Sequence, residues 1–135
     1  MKKILLAYDG SPAAERALNT TAELARLSRS AVTVLGVVPP VPYGSEFSPL
    51  LDEAPDTLAL ALDRAREELE ARGVDATVEE CEGDPAGAIE RLADLDGFDT
   101  IVVGSRDRSA LRRLLGGSVS AHVAAHAHET VVVAR

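Results

Sequence analysis

The sequence predicts an α/β domain, with a five-stranded, mainly parallel sheet and helices on both of its faces. Short apolar runs rich in β-branched residues alternate along the chain with stretches whose aliphatic residues recur at three or four positions. Strands separated by helices join through right-handed crossovers, which makes the sheet parallel and covers both faces. The length, 135 residues, fits one such domain and not two, so residues 1–135 are read as a single unit.

Lys2 to Tyr8 holds the short apolar run Ile4 to Tyr8, which stops at Asp9-Gly10-Ser11-Pro12, and it reads as a buried first strand. Ser11 is placed to cap the following helix with Pro12 at its first position, and Ala14, Leu18, Ala22 and Ala25 carry the helical stripe to about Ser28. Ala31 to Val38 has no helical stripe and is β-branched, hence a second strand ended by Pro39-Pro40. Residues 39–56, with five prolines and the exposed-looking Tyr43 and Phe47, form a long connection of the kind that is often functional. Thr57 to Arg72 is the second helix, stopped by Gly73. Asp75 to Cys81 alternates, with Ala76 and Val78 on one face against Thr77 and Glu79, and reads as an edge strand. Asp84 caps a third helix at Gly83-Asp84-Pro85, with Ile89 and Leu92 inward. Thr100 to Val103 is a fourth strand running into Gly104-Ser105, Ser118 to His126 a fourth helix, and Thr130 to Ala134 a β-branched fifth strand.

Composition narrows the function. The net charge of -8 and only four aromatic residues argue against nucleic-acid binding. The initial apolar run is too short for a membrane span or a signal-peptide core, so a cytoplasmic protein without membrane association is expected. Cys81, the sole cysteine, excludes an internal disulfide and a thiolate zinc site. His122, His126 and His128 lack the H-E-x-x-H pattern, and no metal site is assigned to them. A serine hydrolase would want G-x-S-x-G and a P-loop ATPase G-x-x-x-x-G-K-[ST]; neither run exists, and no lysine follows Lys3.

Ligands in doubly wound sheets sit at the carboxyl ends of strands, so the expected site gathers Asp9, the proline-rich connection and Gly104. Residues 104–118 carry Arg106, Arg108, Arg112 and Arg113 against Asp107, a local +3 in an acidic chain. Gly117-Ser118 opening a helix provides backbone N–H groups for an anion. A strand-end carboxylate such as Asp9 can accept from ribose hydroxyls; its alternative role is to form the turn before Gly10.

Tyr-Asp-Gly-Ser at the first strand end, Gly83-Asp84-Pro85, Val-Val-Gly-Ser-Arg, and Leu-Leu-Gly-Gly-Ser-Val-Ser before the last strand resemble the universal stress protein family across essentially the whole chain. The resemblance implies a Rossmann-like, adenine nucleotide alpha hydrolase-like fold with strand order 3-2-1-4-5, and an adenine-nucleotide-binding stress-response regulator. Nucleotide-binding members carry Gly, two residues, Gly, nine residues, then Gly-Ser or Gly-Thr. Gly104 and Gly117-Ser118 match that spacing, whereas Asp107 replaces the middle glycine. The resemblance implies that Asp9 contacts ribose, that Ala7 and Val37 lie beside adenine, and that Gly104, Gly117, Ser118 and Ser120 cradle phosphates. Val103, Arg106, Asp107 and Val119 complete the expected site. The implied ligand is ATP, or ADP or AMP, with Mg²⁺ as an optional companion. Slow ATP hydrolysis or self-phosphorylation is the most catalysis expected. The competing reading is a scaffold that keeps the fold, binds no nucleotide and works by protein–protein interaction. An unidentified regulatory protein partner and a homodimer through residues 130–134 are also expected, the latter because an uncovered last strand invites pairing with a second copy. A proline at Val132 is the expected way to disrupt that pairing.

Overall fold

The computed structural model describes residues 2–38, 53–104 and 129–134. In chain order the elements are β1 (Lys3–Ala7), α1 (Pro12–Ser28), β2 (Ala31–Val38), α2 (Glu53–Ala71), β3 (Ala76–Glu82), α3 (Pro85–Asp96), β4 (Thr100–Gly104) and β5 (Thr130–Ala134). All neighbouring strands pair in parallel, as the alternation of strands and helices predicts, and in the order β3-β2-β1-β4-β5 that the family resemblance implies. The fourth helix, residues 118–126, and the arginine-rich connection lie outside the described residues.

Period-two alternation in the central strands divides the core into two layers. Ile4 and Leu6 of β1, Tyr8 just beyond it, and Val32 and Val34 of β2 pack with Leu18, Ala22 and Ala25 of α1 and Leu62, Ala65 and Leu69 of α2. Leu5, Leu35, Ile101 and Val103 occupy the other face with Ile89 and Ala93 of α3 and Phe98. Leu5 and Leu6 are both 0% exposed although they point opposite ways, which identifies β1 as the centre of a doubly covered sheet. Burying each contributes about 2 kcal/mol.

The cap signals act as read. Ser11 Oγ accepts from the Ala14 N–H at 3.1 Å, and Asp84 Oδ2 accepts from the Gly87 N–H at 3.2 Å, with a proline opening each helix. Strand β3 is an edge as expected, with Ala76 buried and Thr77 and Glu79 exposed. Helix α2 begins at Glu53, four residues before the expected Thr57. Pro55 misled the reading: it is the third helical residue, where a missing N–H deprives the helix of no internal bond.

Helix α1 ends on Arg29, a non-glycine residue in the left-handed region with φ 54° and ψ 45°. Glycine is the usual occupant of such a cap. Arg29→Gly is therefore expected to stabilise the fold by about 1 kcal/mol, read as a higher urea midpoint at unchanged slope.

Candidate functional site

Strands β1 and β4 are neighbours in the sheet, but the chain leaves β1 toward β2 and leaves β4 toward β5. Two connections that depart in opposite directions open a crevice at the carboxyl ends of those strands. The register Ile4↔Thr100, Leu5↔Ile101, Leu6↔Val102, continued one step, sets Ala7 beside Val103 at the crevice floor. Across β1, Ala7 pairs with Leu35, so Val37 stands two residues further along β2. Ala7, Val37 and Val103 share one sheet face, the one packed by α3. These three sequence-predicted residues thus form an apolar floor, with Ala7 and Val37 partly buried and Val103 buried.

Asp9 follows β1 and is exposed. Its Oδ1 accepts from the Ser11 N–H at 2.9 Å, closing the turn through Gly10, whose φ is 82°. The turn-forming role considered for Asp9 is thus real. It engages one carboxylate oxygen, and Oδ2 has no protein partner among the described residues. The geometry therefore allows Asp9 both tasks, holding its own loop and accepting a hydroxyl hydrogen bond from a ligand.

Sequence reading missed what steadies this loop from behind. Tyr8 is 5% exposed, and its hydroxyl donates to Glu15 Oε1 in the first turn of α1. Burial chiefly, then the hydrogen bond to Glu15 and the charges of Glu15 and Glu68, push the Tyr8 phenol well above its ordinary value. Arg64 opposes the shift. Tyr8 is therefore a neutral donor that ties the end of β1 to the start of α1, with Asp9-Gly10-Ser11 between them.

Gly104 ends β4, and its glycine has a packing cause as well as a site position. A Cβ there would stand 2.6 Å from the Ala13 carbonyl oxygen and 2.7 Å from its carbon. Strand β4 can approach the first turn of α1 only because that Cβ is missing. Arg106, Asp107, Gly117, Ser118, Val119 and Ser120 lie outside the described residues, as do Tyr43, Phe47 and the three histidines. The structure thus brings together Ala7, Asp9, Val37, Val103 and Gly104.

Cys81, on β3, pairs in register with Val37 of β2 and is half-buried. Burial raises its thiol pKa, with Arg91 pulling the other way, which makes it a poor nucleophile. Among the described residues no group of three metal-ligating side chains occurs, and no helix is long and apolar enough to cross a membrane.

Comparison with known proteins agrees with this architecture. The Universal stress protein family model matches residues 1–135. A curated relative, the universal stress protein in the QAH/OAS sulfhydrylase 3' region of Thermus aquaticus, is 36% identical over 140 residues, spanning 99% of this chain and 98% of its own. Among solved structures, a universal stress protein in complex with cAMP superposes with a TM-score of 0.72 at 25% identity, covering 99% of this chain and 97% of that one. The universal stress protein from Archaeoglobus fulgidus in complex with dAMP gives a TM-score of 0.66 at 27% identity, covering 100% and 98%.

Proposed function

The chain belongs to the universal stress protein family, and from that premise we propose that it is an adenine-nucleotide-binding stress-response regulator whose ligand is ATP. The observation that carries the proposal is the switch point between β1 and β4, where the exposed Asp9 follows two residues after Ala7, and Ala7, Val37 and Val103 lie on one sheet face. An adenine ring needs a flat apolar surface, and ribose hydroxyls need an acceptor; both kinds of residue occur at the carboxyl ends of β1, β2 and β4. Relatives of the same fold hold cAMP and dAMP, which supports the adenine part of the reading. The phosphates are assigned by sequence to Gly104, Arg106, Gly117, Ser118, Val119 and Ser120, with Mg²⁺ as an optional partner of the triphosphate. No group in the described crevice is placed as a general base, so binding rather than turnover is the proposed activity.

Asp107 supplies the test, because it stands where the nucleotide-binding motif has glycine. A carboxylate about 5 Å from a phosphate charge opposes binding by roughly 3 kcal/mol at an effective dielectric near 20, before salt and the neighbouring arginines reduce it. Asp107→Gly is therefore expected to tighten metal-free ATP binding about tenfold. Calorimetric titration of both proteins, with Mg²⁺ and with chelator, checks this. Weaker binding of the variant only with Mg²⁺ would make Asp107 a metal partner instead. Absence of ATP, ADP and AMP binding in both proteins would leave the scaffold reading in its place.

We also propose a homodimer through β5, the outer strand, which pairs only with β4 among the described strands. The Thr130 N–H donates to the Asp99 carbonyl at 2.8 Å, so residues 130, 132 and 134 direct their N–H groups toward β4. Val132, the position suggested by sequence, is thus the wrong one to change: a proline there would damage the sheet itself. Val131 and Val133 direct their N–H groups outward. Val133→Pro is expected to shift the light-scattering mass to monomer with the far-ultraviolet spectrum preserved. A wild type already monomeric at tens of micromolar would end the idea. Cytoplasmic residence and a regulatory protein partner complete the proposed reading.

A further inference from the structure

At the opposite end of the sheet, below the amino ends of the strands, Arg26, Arg29 and Arg72 line a hollow of about 430 Å³ together with Ser30, Gly73 and Asp75. The hollow lies between the last turns of α1 and α2. Arginines near helix ends ordinarily serve the unpaired carbonyls or a nearby carboxylate. Among the described residues neither task occupies these three. The Ala25 carbonyl accepts from the Arg29 and Ser30 N–H groups, the Leu69 carbonyl from Arg72 and Val74, and the Glu70 carbonyl from Gly73, all through backbone.

Nor, among the described residues, does any carboxylate lie within ion-pair reach of the guanidiniums of Arg26, Arg29 and Arg72, all three of which are exposed. Arg66, on α2, shows the ordinary alternative, bonding Glu70 at 3.1 Å. Three full positive charges against Asp75 leave an excess of two, and the two helix ends remove at most about one more. Arg29 also occupies a left-handed backbone conformation, where glycine would be favoured.

We propose that this hollow is an anion-binding site, separate from the β1–β4 crevice, for a small phosphate-bearing anion carrying two or more negative charges. Guanidinium forks suit phosphate oxygens. The source of the phosphate is either a free inorganic oligophosphate or the tail of a nucleotide, and the chemistry is shared.

The test is an amide-shift titration of the whole ¹⁵N-labelled chain with sodium pyrophosphate, and separately with ATP, at low ionic strength. Pyrophosphate is expected to move the amides of Ser30, Ala31 and Gly73, and chloride at equal ionic strength to leave them in place. Arg26→Ser and Arg72→Ser should each weaken that response about tenfold. Arg29→Gly should weaken it similarly while raising the melting temperature, a pair of opposite signs that a purely structural arginine would not give. Equal shifts of these amides by ATP identify a nucleotide tail as the source, and shifts by pyrophosphate alone identify the free anion. Movement confined to residues around Asp9 and Gly104 up to about 10 mM pyrophosphate overturns the proposal, as does wild-type affinity in all three variants.

Discussion

Gly104→Ala is expected to lower the unfolding free energy by about 3 kcal/mol and the melting temperature by roughly 10 °C. The added Cβ would meet the Ala13 oxygen at 2.6 Å, the Ala13 carbon at 2.7 Å and the Ala13 Cβ at 3.0 Å. Main-chain atoms cannot rotate aside, so β4 or the first turn of α1 must retreat. Either movement separates the two walls of the crevice. Gly87→Ala is the control, since its nearest neighbour is Asp84 Oδ2 at 3.7 Å and alanine suits a helix better than glycine. A melting temperature for Gly104→Ala that matches wild type would mean that β4 does not depend on this approach. Because the same glycine begins the expected phosphate motif, thermal stability and nucleotide affinity must be measured on the same sample to separate its two roles.

The second large effect is a compensation between Gly36 and Leu62. A Cβ on Gly36 of β2 would lie 2.7 Å from Leu62 Cδ1 and 3.0 Å from Cδ2, and Leu62 is 0% exposed, with no solvent to swing into. Gly36→Ala is expected to destabilise by about 2 kcal/mol through overpacking. Leu62→Ala should cost about 3 kcal/mol through lost burial and the cavity left behind. In the double variant the new methyl occupies part of that cavity. The combined loss should fall short of the sum by about 1 kcal/mol or more in urea denaturation. Strict additivity would show that α2 shifts over β2 as a body instead of holding Leu62 against the strand.

Much of this fold can be read directly in the sequence because its boundaries carry local chemistry. Ser11-Pro12 and Asp84-Pro85 announce two helices by the same device, and both caps form. The alternation Ala76, Thr77, Val78, Glu79 gives away an edge strand because only one side of it is buried. The start of α2 was obscured because Pro55 is compatible with both a loop and a first helical turn. The placement of Ala7, Asp9, Val37 and Gly104 at or beside the carboxyl ends of strands was legible from the strand pattern. The Tyr8–Glu15 link was not, since a spacing of seven across a turn resembles no motif. The three-arginine hollow was equally hidden: Arg72 stands far along the chain from Arg26 and Arg29, and only the crossover of two helices joins them.

The central place of β1 also bears on the order in which the protein assembles as it is made. Strands β1, β2 and β3 with α1 and α2 form a contiguous run of chain, so the layer of Leu6, Val34 and Leu62 can begin to close early. The other flank of β1 waits. Its partner β4 begins at Thr100, and the contact between the Lys3 N–H and Asp99 Oδ2 spans 96 residues. Until α3 and β4 emerge, Leu5 and Leu35 face outward on a half-sheet with one open flank, the state in which a nascent chain most readily pairs wrongly. The acidic residues Glu79, Glu80 and Glu82, exposed along β3, discourage strand addition at the other flank during that interval. The sheet order that creates the crevice between β1 and β4 therefore also creates a window in synthesis when half the core is uncovered, and the early-made edge already carries its own charge protection.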